Sequence, residues 1–287
     1  MSDDVPDIIF TWGGLINEAD KRNRYNGELY YSIKAVLKYL PWCKNIYILV
    51  NSNVDIPPKI LSLDPLKIKR VDRSKLIENK QTAITQNSFA VYSIIDKIPN
   101  LNERFILFDD DFMMLKYTPI EFFFEDHYPI VRANYKKQKI YKDDVILPPY
   151  LKRPIYKYRD WSHKPKPCTK TIIQKFRMKY PEYNSFVESH ITRFHKVSEE
   201  MLMIYYQFGL ENNLIKPVET KSDLFQIKNK HSNNIFIFTF EFIIYTIIIF
   251  FKSYHYLNIN DDWSYKKNVY NKQIKIVKTF LYYLYGK

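Results

Sequence analysis

Arg104-Phe105-Ile106-Leu107-Phe108-Asp109-Asp110-Asp111 is the stretch that decides how this chain folds. Four apolar residues in a row read as a buried strand of an α/β sheet. Ligands of such sheets collect at the carboxyl ends of the strands. Three carboxylates crowded at that end repel one another unless a cation shares them, and hard divalent metals prefer oxygen ligands. A solvated acidic turn is the blander account of the same triplet. The surrounding sequence has to choose between them.

Upstream, Asp7-Ile-Ile-Phe-Thr-Trp12 reads as a short strand leading into a turn at Gly13-Gly14. From Asn26, a fitting N-cap, Leu29, Ile33, Val36, Leu37 and Leu40 recur at helical spacing until Pro41 stops the run. Residues 45–50 predict a second strand and 66–71 a third. Residues 85–98 predict a helix burying Phe89, Tyr92, Ile95 and Ile98. Such alternation predicts an α/β fold with a mostly parallel central sheet flanked by helices. Beyond Glu125 the pattern blurs, and the Lys/Tyr/Pro-rich stretch 135–167 is expected to wrap the site as a loop or insertion. Further helices are expected at 169–180, 198–212 and Lys267–Tyr285. Residues 1–287 are expected to form a single domain.

A chain of 287 residues with 46% apolar and 17% aromatic content is globular and large enough for a sizeable core. Its net charge of +13 points to an anionic partner. The basic residues are scattered through both halves, which disfavours nucleic acid. With five glycines and no Gly-rich phosphate loop, phosphate binding must rest on side chains, metal and helix N-termini. Cys43 and Cys168 imply neither a disulfide framework nor a zinc site. The start, Met-Ser-Asp-Asp, lacks the basic and apolar regions of a signal peptide, so the cytoplasm or the cytoplasmic face of a membrane is the expected location.

Ile235–Phe251 is apolar except for Thr239, Glu241 and Thr246. As a helix it would extend about 25 Å, short of the roughly 30 Å hydrocarbon layer. Glu241 would add a penalty of about 2–3 kcal/mol within that layer. A helix packed within the protein is the expectation, and membrane association through this segment is the alternative.

In order along the chain, these blocks resemble the Stealth family of sugar-phosphate transferases. The first is Asp7-Ile-Ile-Phe-Thr-Trp12. The second runs from Gly27-Glu28-Leu-Tyr-Tyr-Ser-Ile-Lys34 through Pro41-Trp42, the strand to Asn51 and Thr85-Gln-Asn-Ser88. It closes with Ile98-Pro-Asn-Leu101, the Asp triplet and Glu121-Phe122. The third is similar to Ser162-His163 with Tyr180-Pro181 and Arg193, and the fourth to Asn258-Ile-Asn-Asp261. There are departures. Tyr30 and Lys34 stand where family members commonly carry arginines, and Asp109 where they carry asparagine.

The resemblance implies a nucleotide-sugar transferase fold of the GT-A-like kind. It also implies transfer of a sugar-1-phosphate from a nucleotide-diphosphate sugar, such as a UDP-N-acetylhexosamine, to a glycan hydroxyl. That chemistry needs charge neutralisation on a diphosphate and a base for the hydroxyl. The resemblance implies Asp110 and Asp111 as holders of a divalent metal, magnesium or manganese, with Asn260 and Asp261 completing the site and Asp7 nearby. His163 is the expected base, since imidazole titrates near neutrality. Arg193 is the expected phosphate clamp. Asn87, Ser88, Thr11 and Trp12 are expected to meet the donor, although helix capping and core packing account for them equally well. Two other readings stay open: a glycosyltransferase using Asp109 and Asp111 for its metal, and a non-catalytic basic protein that binds glycan or nucleic acid.

Overall fold

The computed structural model describes residues 5–14, 25, 27–52, 54–77, 88–133, 164–188, 201–219, 224–228, 234–252, 254–260 and 267–286. Among the described residues, five strands make the central sheet. β1 (Asp7–Thr11), β2 (Ile46–Val50), β3 (Ile68–Asp72) and β4 (Arg104–Asp109) run parallel. β8 (Lys166–Thr169) pairs antiparallel with β4, giving the order β3-β2-β1-β4-β8. The apolar runs of β1, β2 and β4 are buried along almost their whole length, as strands covered on both faces must be.

Two helical layers provide that cover. On one face, Ile8, Phe10, Ile48 and Ile106 pack with Leu29, Ile33 and Val36 of α1 (Glu28–Tyr39). On the other, Ile9, Leu49 and Leu107 pack with Ile172 and Phe176 of α4 (Lys170–Lys179) and Tyr206 of α6 (Met201–Glu211). α1 begins at Glu28, after Gly27 in a left-handed conformation at φ 100°, rather than directly after Asn26. Leu40 forms its C-cap, in agreement with a stop at Pro41. Thr169 caps α4, its hydroxyl accepting from the Ile172 amide at 3.3 Å.

The helix expected over 85–98 is broken. α3 spans only Ser88–Tyr92, and a separate 3-10 turn covers Ile95–Lys97; 85–87 lie outside the described residues. The Ser93 hydroxyl donates to the Ala90 carbonyl at 2.7 Å, a local alternative to continuing the helix. The stretch 135–167 is corrected at its end, where Lys166 and Pro167 belong to β8. A four-residue edge strand containing lysine and proline carries little strand signal, and proline is tolerated there. The helix expected at 198–212 is α6, with 198–200 outside the described residues.

Two smaller sheets adjoin the central one. One has the order β10 (Leu224–Lys228), β11 (Tyr256–Asn260), β5 (Phe112–Met114). The other joins β6 (Phe124–Glu125), β7 (Tyr128–Ala133) and β9 (Lys216–Glu219). α7 (Ile235–Phe251) packs on α8 (Lys267–Tyr285), but only in part. Phe238 and Phe242 are buried, whereas Phe236, Phe240, Phe250 and Phe251 are exposed. The expectation that this helix packs within the protein is therefore overturned for most of its surface. Cys43 and Cys168 are buried free thiols, pushed up by burial to about 11 and about 12.

Candidate active site

The Asp triplet sits where β4 turns into β5, at the carboxyl end of the parallel strands. Its backbone is pinned from below. The buried Ser32 hydroxyl of α1 lies 2.8 Å from the Asp110 carbonyl oxygen and 2.6 Å from that of Phe112. From the side, Asn258 of β11 donates through Nδ2 to Asp111 Oδ2 at 2.9 Å. Gln226 donates to Asn258 Oδ1 at 3.1 Å, which orients that amide with its nitrogen toward Asp111. Two elements remote in sequence, α1 and β11, thus hold one acidic turn.

The three carboxylates have different surroundings. Lys166 Nζ lies 2.9 Å from Asp109 Oδ2, in an ion pair whose lysine is almost fully buried. Tyr92 donates to Asp109 Oδ1 at 3.3 Å, and burial, with Asp109 next, drives its phenol well above the usual range. Asp109 is thereby neutralised by protein groups. Asp110 is the opposite case. Burial, then the charges of Asp111, Glu28 and Asp109, hold its carboxyl well above the ordinary value of 3.8. Beside Lys166, Lys164 and Arg132 line a pocket whose apolar wall includes Phe122, Tyr206 and Tyr256. The Arg132 guanidinium carbon lies over the Phe122 ring, 4.1 Å from its centroid, and its Nε donates to the Phe122 carbonyl at 3.1 Å. Acid and base meet at this edge of the sheet.

Among the described residues, no three His, Cys, Asp or Glu side chains converge as a complete metal site. Asp110 and Asp111 nevertheless fit a magnesium-like cation. Such an ion is commonly held by one or two carboxylates, with substrate phosphates and water supplying the rest. The upward push on Asp110 marks a negative cluster that a cation would relieve.

Comparison with known proteins finds a match for the amino-terminal half of the chain. Residues 22–131 match the family model described as Stealth protein CR2, conserved region 2. That stretch is similar to the Stealth conserved region 2 and makes up less than half of the chain. The chain is 34% identical over 136 residues to capsular polysaccharide phosphotransferase cps12A of Actinobacillus pleuropneumoniae, covering 47% of this chain and 36% of that one. It is 30% identical over 168 residues to a capsular polysaccharide phosphotransferase of Neisseria meningitidis serogroup B, covering 50% and 44%. The match thus spans less than half the length of these relatives. Among solved structures, mouse xyloside xylosyltransferase 1 is similar at a TM-score of 0.47 and 11% identity, covering 90% of this chain and 98% of that one. A likeness that slight carries no argument.

The stretch that matches the Stealth model contributes Ser32, Tyr92 and the triplet, so its residues meet at one place in the fold. Thr11 joins them, since it lies opposite Asp109 in the β1–β4 register. Asp7 does not. It pairs with Phe105 at the start of both strands, roughly 13 Å of strand away from Thr11. There its buried carboxylate accepts from the Asn45 amide and side chain at 3.1 and 2.8 Å and from the Asn102 amide at 2.7 Å. Asp7 is thus held at the amino end of β1, away from the acidic turn, a correction to its expected place near the donor. Trp12 is 5% exposed, with its ring 5.4 Å from that of Tyr25, as core packing requires.

Ser88 opens α3, and Asn260 closes β11. Asn87, His163, Arg193 and Asp261 lie outside the described residues. At the position of the Tyr30 departure, Lys34 and Lys59 place their ammonium groups 5.9 and 5.2 Å from the Tyr30 ring, so positive charge is retained there. Sequence reasoning missed Lys166, Lys164, Arg132, Tyr92 and Asn258 as groups of the site. Asn258 stood within a family-like block; the basic residues carried no signal of their own. It also missed Arg73, a buried guanidinium just after β3 that donates to the Asn51 side chain, its pKa lowered by burial to about 10.

Proposed function

We propose that this chain transfers a sugar-1-phosphate from a nucleotide-diphosphate sugar to a glycan hydroxyl, in the synthesis of a phosphodiester-linked polysaccharide. The observation that carries the reading is the convergence of Ser32, Asp110, Asp111 and Asn258 at the carboxyl end of β4, within and beside the Stealth region. The names of its relatives support the same chemistry. In this reading, Asp110 and Asp111 would hold magnesium or manganese, with Asp261 a further candidate ligand. The ion would supply positive charge against the donor diphosphate.

The protein's own groups do the rest. The basic wall of Lys164, Lys166 and Arg132 would attract the anionic donor, and Arg193 would clamp its phosphate oxygens. Thr11, Asn87 and Ser88 would border the donor. His163 would take the acceptor's proton as its oxygen attacks the phosphorus next to the sugar. The bond from that phosphorus to the bridging oxygen then breaks, and nucleoside monophosphate leaves. A glycosyltransferase using Asp109 as a metal ligand is the rival reading, and the pairing of Asp109 with Lys166 and Tyr92 weighs against it. A screen of nucleotide-sugars with identification of the released nucleotide tests the proposal. Nucleoside monophosphate is expected; release of nucleoside diphosphate would overturn it in favour of glycosyl transfer.

A further inference from the structure

α7 turns a wholly apolar face to solvent. Phe236, Phe240, Ile243, Ile247, Phe250 and Phe251 recur at helical spacing and form one stripe along its whole length. Phe236 and Phe250, near its two ends, are 82% and 84% exposed, and Phe240 between them is 62% exposed. The opposite side is tied to the protein, with the buried Phe242 ring 5.3 Å from Phe280 of α8. The two threonines bond within the helix: Thr239 donates to the Ile235 carbonyl at 2.7 Å and Thr246 to the Phe242 carbonyl at 2.8 Å. Glu241 falls on the flank of the stripe, not within it. A continuous apolar patch of this kind marks a surface that something else covers.

We propose that α7 is an in-plane anchor that seats this stripe in the interface of an anionic lipid bilayer. Two observations set the orientation. Among the described residues, no helix is long and apolar enough to cross a membrane, and the burial of Phe238 and Phe242 against the protein prevents lipid from surrounding α7. Charge selects the covering surface. Residues 224–287 contain nine lysines against three acidic residues, Glu241, Asp261 and Asp262. Lys252 follows α7 directly, and on the adjoining α8 the side chains of Lys272, Lys275 and Lys278 are exposed. Tyr282 and Tyr283 are exposed beyond them, and such amphipathic rings suit the headgroup level. An apolar helix face accompanied by lysines matches an anionic surface. A second copy of the chain would bring the same lysines together across a two-fold interface, which the bilayer avoids.

The test uses the full chain with vesicles of neutral phosphatidylcholine and vesicles that also contain phosphatidylglycerol. Flotation with the phosphatidylglycerol vesicles is expected, weakening as salt rises. The combined variant Phe240→Ser, Ile243→Ser, Phe250→Ser should remain in the aqueous fraction with unchanged circular dichroism, since these side chains are exposed. The combined variant Lys272→Gln, Lys275→Gln, Lys278→Gln should bind the anionic vesicles at least several-fold more weakly. Absence of flotation by the wild-type chain overturns the proposal, as does flotation undiminished in the serine variant. A lipid-free dimer abolished by the serine changes would assign the stripe to a second copy instead. Retention in vesicles through alkaline washing would replace in-plane seating with a spanning segment.

Discussion

Asn258 Nδ2 lies 2.9 Å from Asp111 Oδ2, although 147 residues separate the two in sequence. The contact joins β11 to the acidic turn and fixes one carboxylate of the candidate site. Asn258→Ala should lower turnover by about tenfold or more and destabilise the fold by about 1–3 kcal/mol, because buried partners lose their hydrogen bonds. Asn258→Asp sets a like charge against Asp111 and should be the more damaging for turnover. Asp111→Asn should nearly abolish turnover while leaving the melting temperature close to that of the wild type. Steady-state kinetics beside thermal melts check the set, and full activity in Asp111→Asn would remove Asp111 from the mechanism.

The Asp109–Lys166 pair predicts a non-additive response. Lys166→Met leaves a carboxylate without its cation in a largely buried place, a loss of about 3–5 kcal/mol when such a pair is broken. Combining it with Asp109→Asn should restore much of that stability, which a double-mutant cycle by denaturant unfolding measures. Asp109→Asn alone should retain turnover within about tenfold if Asp109 serves as the partner of Lys166 and Tyr92, as its contacts and the proposed function have it. Loss of metal-dependent activity in Asp109→Asn would return Asp109 to the metal site.

Asp7 should behave as a structural residue. Asp7→Ala leaves the amides of Asn45 and Asn102 without their acceptor, at about 1–3 kcal/mol for each group left unsatisfied. The turnover of the folded fraction should not change, because Asp7 lies at the opposite end of β1 from Thr11. Burial raises the Asp7 pKa above 3.8 despite its hydrogen bonds. Its ionisation therefore favours the unfolded chain, which releases the proton more readily. The site's contribution to stability is full below 3.8 and declines as pH rises through the raised folded value. Melting temperatures across acidic pH should show that decline in the wild type and lose it in Asp7→Ala.

How much of this was legible beforehand follows from which interactions are local. The strand at Arg104–Asp109 and the helices Lys170–Lys179 and Lys267–Tyr285 carry their own hydrophobic period or cap, and each was readable from its own residues. β8 was not, since Lys166-Pro-Cys-Thr becomes a strand only through pairing with β4. Lys166 could not be assigned to the site for the same reason: its partner Asp109 lies 57 residues away. Asp7 was misplaced because a carboxylate at a strand start and one at a strand end look alike in sequence. The parallel register separates them. The apolar run of α7 announced a helix, but periodicity is silent when every face is apolar, so sequence could not say which face the protein covers.

His163 and Arg193 are the two residues to which the proposed function gives proton and phosphate handling. Both come from the family-like third block, and their interval motivates the pairing. If His163 takes the acceptor's proton, His163→Ala should lower turnover by about 10²–10⁴. Donor affinity, measured by calorimetry, should change little, because the base meets the acceptor rather than the nucleotide. Arg193→Ala should instead weaken donor binding as well, by about 1.5–3 kcal/mol for a lost charge-assisted contact. The pattern across the two variants is what discriminates. Equal loss of donor affinity in both would make His163 a donor contact, and wild-type turnover in His163→Ala would place the base on another side chain.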